Sequence, residues 1–221
     1  MSSKRLIQIL VALLAPLSAH AAYFGNIQGG TDFPEGSISF ADSVVSYLPG
    51  MVGAYPTLPN RGADNSLGTP DYAGADCASQ TNCTYVSLGD GGSITLRFLD
   101  NYLTGSGDSA LDLWIFEVGP DVEDTYVEIS KDGSTYFSIG KVFGTTSGID
   151  IDAFGFGIDD RFAYVRLTDD TNEGDQTGAS VGADIDAVGA ISTVRQTVPE
   201  PASIALLAVG LAGFGLGRRR Y

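Results

Sequence analysis

Short segments of alternating apolar and polar residues recur along the middle of the chain, between turns rich in glycine and aspartate. In residues 93–99 the apolar side chains Ile94, Leu96 and Phe98 occupy every second position, and residues 125–130 alternate in the same way. A period of two is typical of strands with one buried face. Because no interior stretch keeps a helical period, the pattern predicts an all-β fold. Further strands are predicted at residues 44–47, 85–88, 111–118, 136–139, 162–167 and 185–191.

The segment 111–118 is apolar on nearly both faces, which predicts a central strand with Trp114 in the core. Asp132 and Gly133 lie between two predicted strands and indicate a hairpin turn. Residues 48–84 are rich in Pro, Gly, Asn and Asp and are predicted to form one long loop region. Many short strands with glycine-rich turns favour a β-sandwich or jelly roll.

The N-terminus has the pattern of a secretory signal helix. Lys4 and Arg5 precede an apolar run at 6–17, and Ala19 and Ala21 form an A-x-A cleavage signal. An uncleaved membrane helix is the alternative, but the run is shorter than the roughly 20 residues that a span needs. We therefore predict a signal peptide at 1–21. Its removal would take away His20, the one histidine of the chain.

The C-terminus has the pattern of a membrane anchor. Residues 202–217 carry no charge and are followed by Arg218, Arg219 and Arg220. As a helix, 16 residues span roughly 24 Å, slightly less than the hydrocarbon core of about 30 Å. The arginines predict a cytoplasmic stop, which leaves the preceding residues outside. The predicted organisation is a signal at 1–21, an acidic ectodomain at 22–197, and a single transmembrane helix within an anchor segment at 198–221.

Charge and composition remove several classes of function. Residues 22–197 hold seven basic and 26 acidic residues, which argues against a nucleic-acid binder. Without histidine the mature chain lacks a Ser-His-Asp triad, a Cys-His pair and a Cys/His zinc site. A carboxylate-based glycosidase is a less favoured alternative, because Asp112 and Glu117 lie on opposite faces of one predicted strand. We therefore predict that the chain is not an enzyme.

The sequence offers three candidate sites of other kinds. Cys77 and Cys83 are expected to form a disulfide in an exported chain. No cofactor is certain, but paired carboxylates suit a structural Ca²⁺ ion, whereas solvated acidic loops are the simpler interpretation. Loop tyrosines could stack on sugar rings, although half-buried packing also explains them. The candidate metal ligands are Asp169, Asp170, Asp184 and Asp186, and the candidate ligand-binding residues are Tyr55, Tyr72 and Tyr102.

The tail resembles a known sorting signal. Val198, Pro199, Glu200 and Pro201 precede the apolar run and the arginine cluster, and this order is similar to the PEP-CTERM signal of Gram-negative bacteria. The resemblance implies an exosortase substrate. Exosortase is a membrane-embedded, cysteine protease-like enzyme that recognises the motif and processes the tail. Bacteria with this system typically make exopolysaccharide.

The ectodomain resembles a recurrent bacterial cell-surface module, often found with PEP-CTERM tails. The resemblance rests on segments at 67–71, 86–94, 115–117, 127–133 and 182–188. It implies a jelly-roll fold. Together these observations predict an exported protein, anchored briefly in the inner membrane and then released to the cell envelope or extracellular matrix. The expected role is a non-catalytic, polysaccharide-associated module. The alternative is a structural or adhesive surface protein whose partners are proteins.

Overall fold

The structure is a computed structural model that describes residues 21–119, 123–174 and 177–196. The predicted signal helix, the sorting motif, the anchor helix and the arginine cluster lie outside these residues. Among the residues described, no helix is long and apolar enough to cross a membrane.

The described part of the chain is built from strands and short 3-10 turns, which confirms the predicted all-β class. Neighbouring strands pair antiparallel throughout. The strands are β1 (Ala22–Asn26), β2 (Gly29–Phe33), β3 (Ser43–Leu48), β4 (Val86–Ser87), β5 (Ser93–Arg97), β6 (Asn101–Leu103), β7 (Leu113–Glu117), β8 (Thr125–Ser130), β9 (Phe137–Val142), β10 (Thr146–Ile149), β11 (Tyr164–Asp169), β12 (Asp184–Ala190) and β13 (Thr193–Arg195).

Two sheets face each other across the main core. One has the strand order β10-β7-β12-β4 and the other β3-β5-β11-β8-β9, while β1-β2 and β6-β13 form two small sheets. Ile115 and Ile185 from the first sheet join Leu96, Ile129 and Val165 from the second in one buried cluster. Side chains from the inner faces of both sheets therefore fill one core, which is the arrangement of a β-sandwich.

The outer face of β7 is also covered, by the hairpin of β1 and β2. Phe33, Phe40, Phe116 and Ala187 form a second buried cluster there. This explains why the predicted strand at 111–118 is apolar on both sides, and its central position between β10 and β12 confirms that prediction. Trp114 packs against this cluster but is only half-buried. The prediction that it lies in the core is therefore wrong, and it lies at the edge of this outer layer instead.

All eight predicted strands are present, with ends that differ by one to a few residues. The five that the pattern did not predict are β1, β2, β6, β10 and β13. Sequences such as GGTDF in β2 and TSGI in β10 lack the apolar alternation that identifies a strand, because both strands are partly exposed and lie at sheet edges or in small sheets. Residues 48–84 contain 3-10 turns and isolated bridges but no strand beyond the end of β3, as predicted.

The predicted hairpin turn between β8 and β9 is confirmed. The Asp132 carboxylate accepts hydrogen bonds from the N–H groups of Ser134 at 2.8 Å and Thr135 at 2.9 Å. Gly133 has a φ of +76°, and the ring of Tyr164 would lie 3.0 Å from an added Cβ. Glycine is required here because other residues rarely adopt this left-handed conformation.

Candidate functional site

Two exposed aromatic rings flank a lysine on the outer side of the five-stranded sheet. Tyr126 on β8 lies opposite Lys141 on β9, and Phe143 directly follows β9. The Tyr126 side chain is 44% exposed and Phe143 is 65% exposed. The Lys141 Nζ atom lies 5.2 Å from the centre of the Tyr126 ring and 5.4 Å from that of Phe143. We call these three residues the aromatic face.

An ion-paired network fixes the lysine of the aromatic face. Lys141 Nζ lies 2.6 Å from a carboxylate oxygen of Asp124 and 2.6 Å from one of Asp170. The Tyr126 hydroxyl donates to Asp170 at 3.2 Å, and the Asn172 amide donates to it at 2.8 Å. Hydrogen bonds to Asp124 and Asp170 raise the pKa of Lys141, and the Lys141 hydrogen bond lowers the pKa of Asp170. The network is therefore charged at neutral pH, with apolar rings beside it.

The tyrosines selected from the sequence do not form one site. Tyr55 is 37% exposed in the long loop, and Tyr102 is half-buried on β6. Tyr72 packs edge-to-face on Tyr85 at 5.7 Å, in the apolar cluster that also contains Cys77. A role of any one of them in ligand binding stays a prediction. Loop composition identified aromatic residues outside the main strands, but it could not indicate which loops meet.

Sequence reasoning missed the aromatic face, although a signal was present. Tyr126 alternates with the inward-facing Val127 and Ile129 on β8, so its ring had to point outward. The hairpin of β8 and β9 was predicted, but Phe143 lies beyond the predicted strand at 136–139, and the register that puts Lys141 opposite Tyr126 is known only from the folded chain.

Asp169 and Asp170, two of the predicted metal ligands, bind other groups of the protein. Asp169 accepts hydrogen bonds from the N–H groups of Gly91 at 2.9 Å and Ala183 at 2.8 Å. Asp170 belongs to the network of the aromatic face, where Lys141 neutralises it. Asp169 is the last residue of β11 and Asp170 lies just beyond it, and the two carboxylates have different partners.

The other two predicted metal ligands also have separate roles. Asp184 accepts a short hydrogen bond from the Ser87 hydroxyl. Asp186 accepts from the Asn26 amide at 2.9 Å and from the N–H groups of Asp71 and the following residue. A bulge on β12 between Ile185 and Ala187 interrupts the strand alternation. No three of the carboxylate oxygens of the four predicted ligands meet within 4.8 Å, so the structure does not bring these residues together as one metal site.

Glu117, at the end of β7, is a buried carboxyl with no hydrogen-bond partner for either oxygen. Its side chain is 2% exposed. Burial, and after it the nearby negative charge of Asp184, Glu123 and Asp169, raises the pKa of Glu117 to about 10. The backbone of Asp184 lies close enough to lower this pKa slightly, but not in hydrogen-bonding geometry. Glu117 is therefore neutral at pH 7 and inaccessible to a substrate.

The disulfide predicted from the sequence is present between Cys77 and Cys83, whose Cα atoms are 4.5 Å apart. A cavity of about 350 Å³ lies beside it, lined by Leu58, Pro59 and residues 78–81. The lining contains no aromatic ring and no charged group. The cavity therefore offers no aromatic ring on which a sugar could stack.

The tail can be compared with known families. Residues 197–220 match the PEP-CTERM protein-sorting motif. The chain carries a PEP-CTERM sorting signal. This match confirms the recognition made from Pro199, Glu200 and Pro201, and it supports the assignment as an exosortase substrate that is exported and sorted. No curated protein matches the chain in sequence.

Three solved structures are similar to parts of this chain at low sequence identity. CpGH89CBM32-4 of Clostridium perfringens is 12% identical, with a TM-score of 0.36, covering 70% of this chain and 97% of its own. The C-terminal domain of a chitobiase from Bacteroides fragilis is 13% identical, with a TM-score of 0.36, covering 74% and 97%. CpGH89CBM32-4 in complex with GlcNAc-α-1,4-galactose is 13% identical, with a TM-score of 0.34, covering 80% and 99%.

Proposed function

We propose that this exported, PEP-CTERM-sorted protein is a non-catalytic module that binds polysaccharide through the aromatic face. The observation that carries the proposal is the placement of two exposed rings, Tyr126 and Phe143, on either side of the ion-paired Lys141. Isolated exposed aromatics are ordinary on protein surfaces, but rings beside fixed polar groups form a surface that can orient a ligand.

The chemistry of a pyranose ring fits this surface. One face of the ring carries C–H groups that pack on an aromatic ring, while its hydroxyl groups need donors and acceptors at the edge. Lys141 can supply a donor there, and the oxygen of the Tyr126 hydroxyl can supply an acceptor. The carboxylates of Asp124 and Asp170 are buried and hold these two groups. The ion pairs hold these groups in place, so binding would order few additional side chains.

The termini set where this binding takes place. In the proposal, the signal at 1–21 exports the chain and residues 198–221 hold it in the inner membrane, with Arg218, Arg219 and Arg220 on the cytoplasmic side. Exosortase then processes the tail that carries the sorting motif. The ectodomain, residues 22–197, reaches the cell envelope or extracellular matrix, where exopolysaccharide is the expected partner.

A non-catalytic role is favoured by the state of the acidic groups. Glu117 has the raised pKa of a general acid, but both of its oxygens are buried away from any ligand. Asp112 and Glu117 stand at opposite ends of β7, about 16 Å apart at 3.3 Å per residue, which exceeds the separation that glycosidases use. This pair therefore offers no route to glycoside hydrolysis.

Affinity electrophoresis tests the proposal with the full chain, purified in detergent, in gels containing different bacterial exopolysaccharides. We expect retardation in at least one of them, and a loss of at least tenfold in affinity for Tyr126→Ala and Phe143→Ala. Tyr23→Ala is the matched control, because Tyr23 is an exposed ring on β1, away from the aromatic face.

Two results would contradict the proposal. Equal retardation of all three variants would remove the aromatic face from binding. Absence of retardation in every gel would favour the alternative, a structural or adhesive surface protein with protein partners.

A further inference from the structure

Three carboxylates meet at the opposite end of β7 from Glu117. Asp112 directly precedes β7, and Asp150 and Asp152 follow β10. One carboxylate oxygen from each lies within 4.8 Å of the other two, and this is the one such group in the part of the chain that the structure describes. Two oxygens bound to one Ca²⁺ at about 2.4 Å can be at most about 4.8 Å apart, so the spacing suits a single ion.

A second observation concerns the buried member of this group, Asp112. Asp112 is 0% exposed, and its Oδ1 atom has no partner in hydrogen-bond geometry. Its other oxygen accepts the N–H of Ile151 at 2.9 Å, which fixes the orientation of the carboxylate. Buried carboxylate oxygens normally have a partner, because a buried acceptor without one loses the hydrogen bonds that water would give it.

The other two ligands are held in place by backbone groups. Asp152 accepts from the N–H of Gly107 at 3.1 Å, and Asp150 accepts from the N–H of Asp152 at 2.9 Å. An added Cβ at Gly105 would lie 2.6 Å from a carboxylate oxygen of Asp152, so the loop before β7 fits closely against this ligand. None of the ion pairs formed among the residues described involves these three carboxylates.

The geometry points to a Ca²⁺ site formed by Asp112, Asp150 and Asp152. All three ligand groups are hard oxygen donors, which suit Ca²⁺ better than zinc or copper. Irregular loops supply two of them, and Ca²⁺ tolerates variable geometry, whereas Mg²⁺ demands a near-ideal octahedron. The ion would join the loop at 105–108, the start of β7 and the turn after β10. It therefore acts on the stability of this end of the sandwich and is independent of the aromatic face.

Calorimetric titration of CaCl₂ into the full chain, purified in detergent and stripped with EDTA, tests the site. We expect Asp150→Asn and Asp152→Asn to remove or weaken at least tenfold one binding event that the unmodified chain shows. The control is Asp159→Asn, which removes the same charge from an exposed residue in the next loop and should bind as the unmodified chain does. Binding that is absent, equal in all variants, or equally tight for MgCl₂ would overturn the proposal.

Thermal melting separates metal binding from a purely structural role. With Ca²⁺ at about 100 times its dissociation constant, the melting temperature of the unmodified chain should rise by roughly 5–10 °C, and that of the two variants much less. In EDTA both variants should melt at or above the unmodified chain, because each lacks one of three repelling charges. A lower melting temperature in EDTA would assign the carboxylates to the fold itself and overturn the site.

Discussion

Replacement of Glu117 by glutamine removes a titrating group from the buried end of β7. The folded chain surrounds this side chain with apolar groups and with the carboxylates of Asp184, Glu123 and Asp169. Glutamine has nearly the same shape but never carries a charge. The substitution therefore isolates the free energy that the structure assigns to keeping Glu117 protonated.

The size and sign of the effect follow from the pKa of Glu117 in each state. It is 4.5 in the unfolded chain and about 10 in the folded chain. Between these values the folded state holds a proton that the unfolded state has released. The stabilising contribution is therefore complete below pH 4.5 and is lost as pH rises towards about 10, at about 1.4 kcal/mol per pH unit. At pH 7 the loss is on the order of 3 kcal/mol, and Glu117→Gln should avoid it.

Urea unfolding of the two proteins, in EDTA and at half-unit steps between pH 4.5 and 8, measures this difference. We expect the free energy of unfolding of Glu117→Gln, minus that of the unmodified chain, to increase steadily as pH rises. Subtracting one curve from the other cancels the remaining carboxylates, whose environments are common to both. A difference that stays constant with pH would refute the reasoning, since it would mean that Glu117 is ionised in the folded protein.

Two further substitutions test the packing. Phe116→Ala should lower the free energy of unfolding by about 3–5 kcal/mol in urea, because the fully buried ring contacts Phe33 and Phe40; a loss under 1 kcal/mol would show that the outer layer contributes little. Joint replacement of Cys77 and Cys83 by serine should cost about 2 kcal/mol, since the bridge closes a loop with a sequence separation of 6. An unchanged urea midpoint would contradict that estimate.

Strands of the two large sheets were predictable where burial imposes a pattern. β5, β8 and β11 each present alternate side chains to the main core, so their sequences alternate in the same way. β7 lacks alternation because it is covered on both faces, and its apolar run predicted that position. β2 and β10 were not predicted, because they consist mainly of glycine and small polar residues and bury few apolar side chains.

The candidate sites were less predictable, because each depends on the register or order of paired strands. Tyr126 and Phe143 come together through the pairing of β8 with β9. Asp112 joins Asp150 and Asp152 because β7 pairs with β10. The sequence indicated that carboxylates could bind a hard cation and that aromatic rings could bind sugars. The residues that it selected for these two roles differ from those that the structure brings together.

The sequence by itself determined the sorting tail, the all-β class and the disulfide. These depend on the order of motifs along the tail, on the period of two in the strands and on the short separation of two cysteines. All three features can be recognised from residues that are close together in the sequence. Only the tertiary structure decided which rings share a face, which carboxylates converge and which one is buried without a partner. Those relations depend on strand order and register, which are set by how the two sheets pack together.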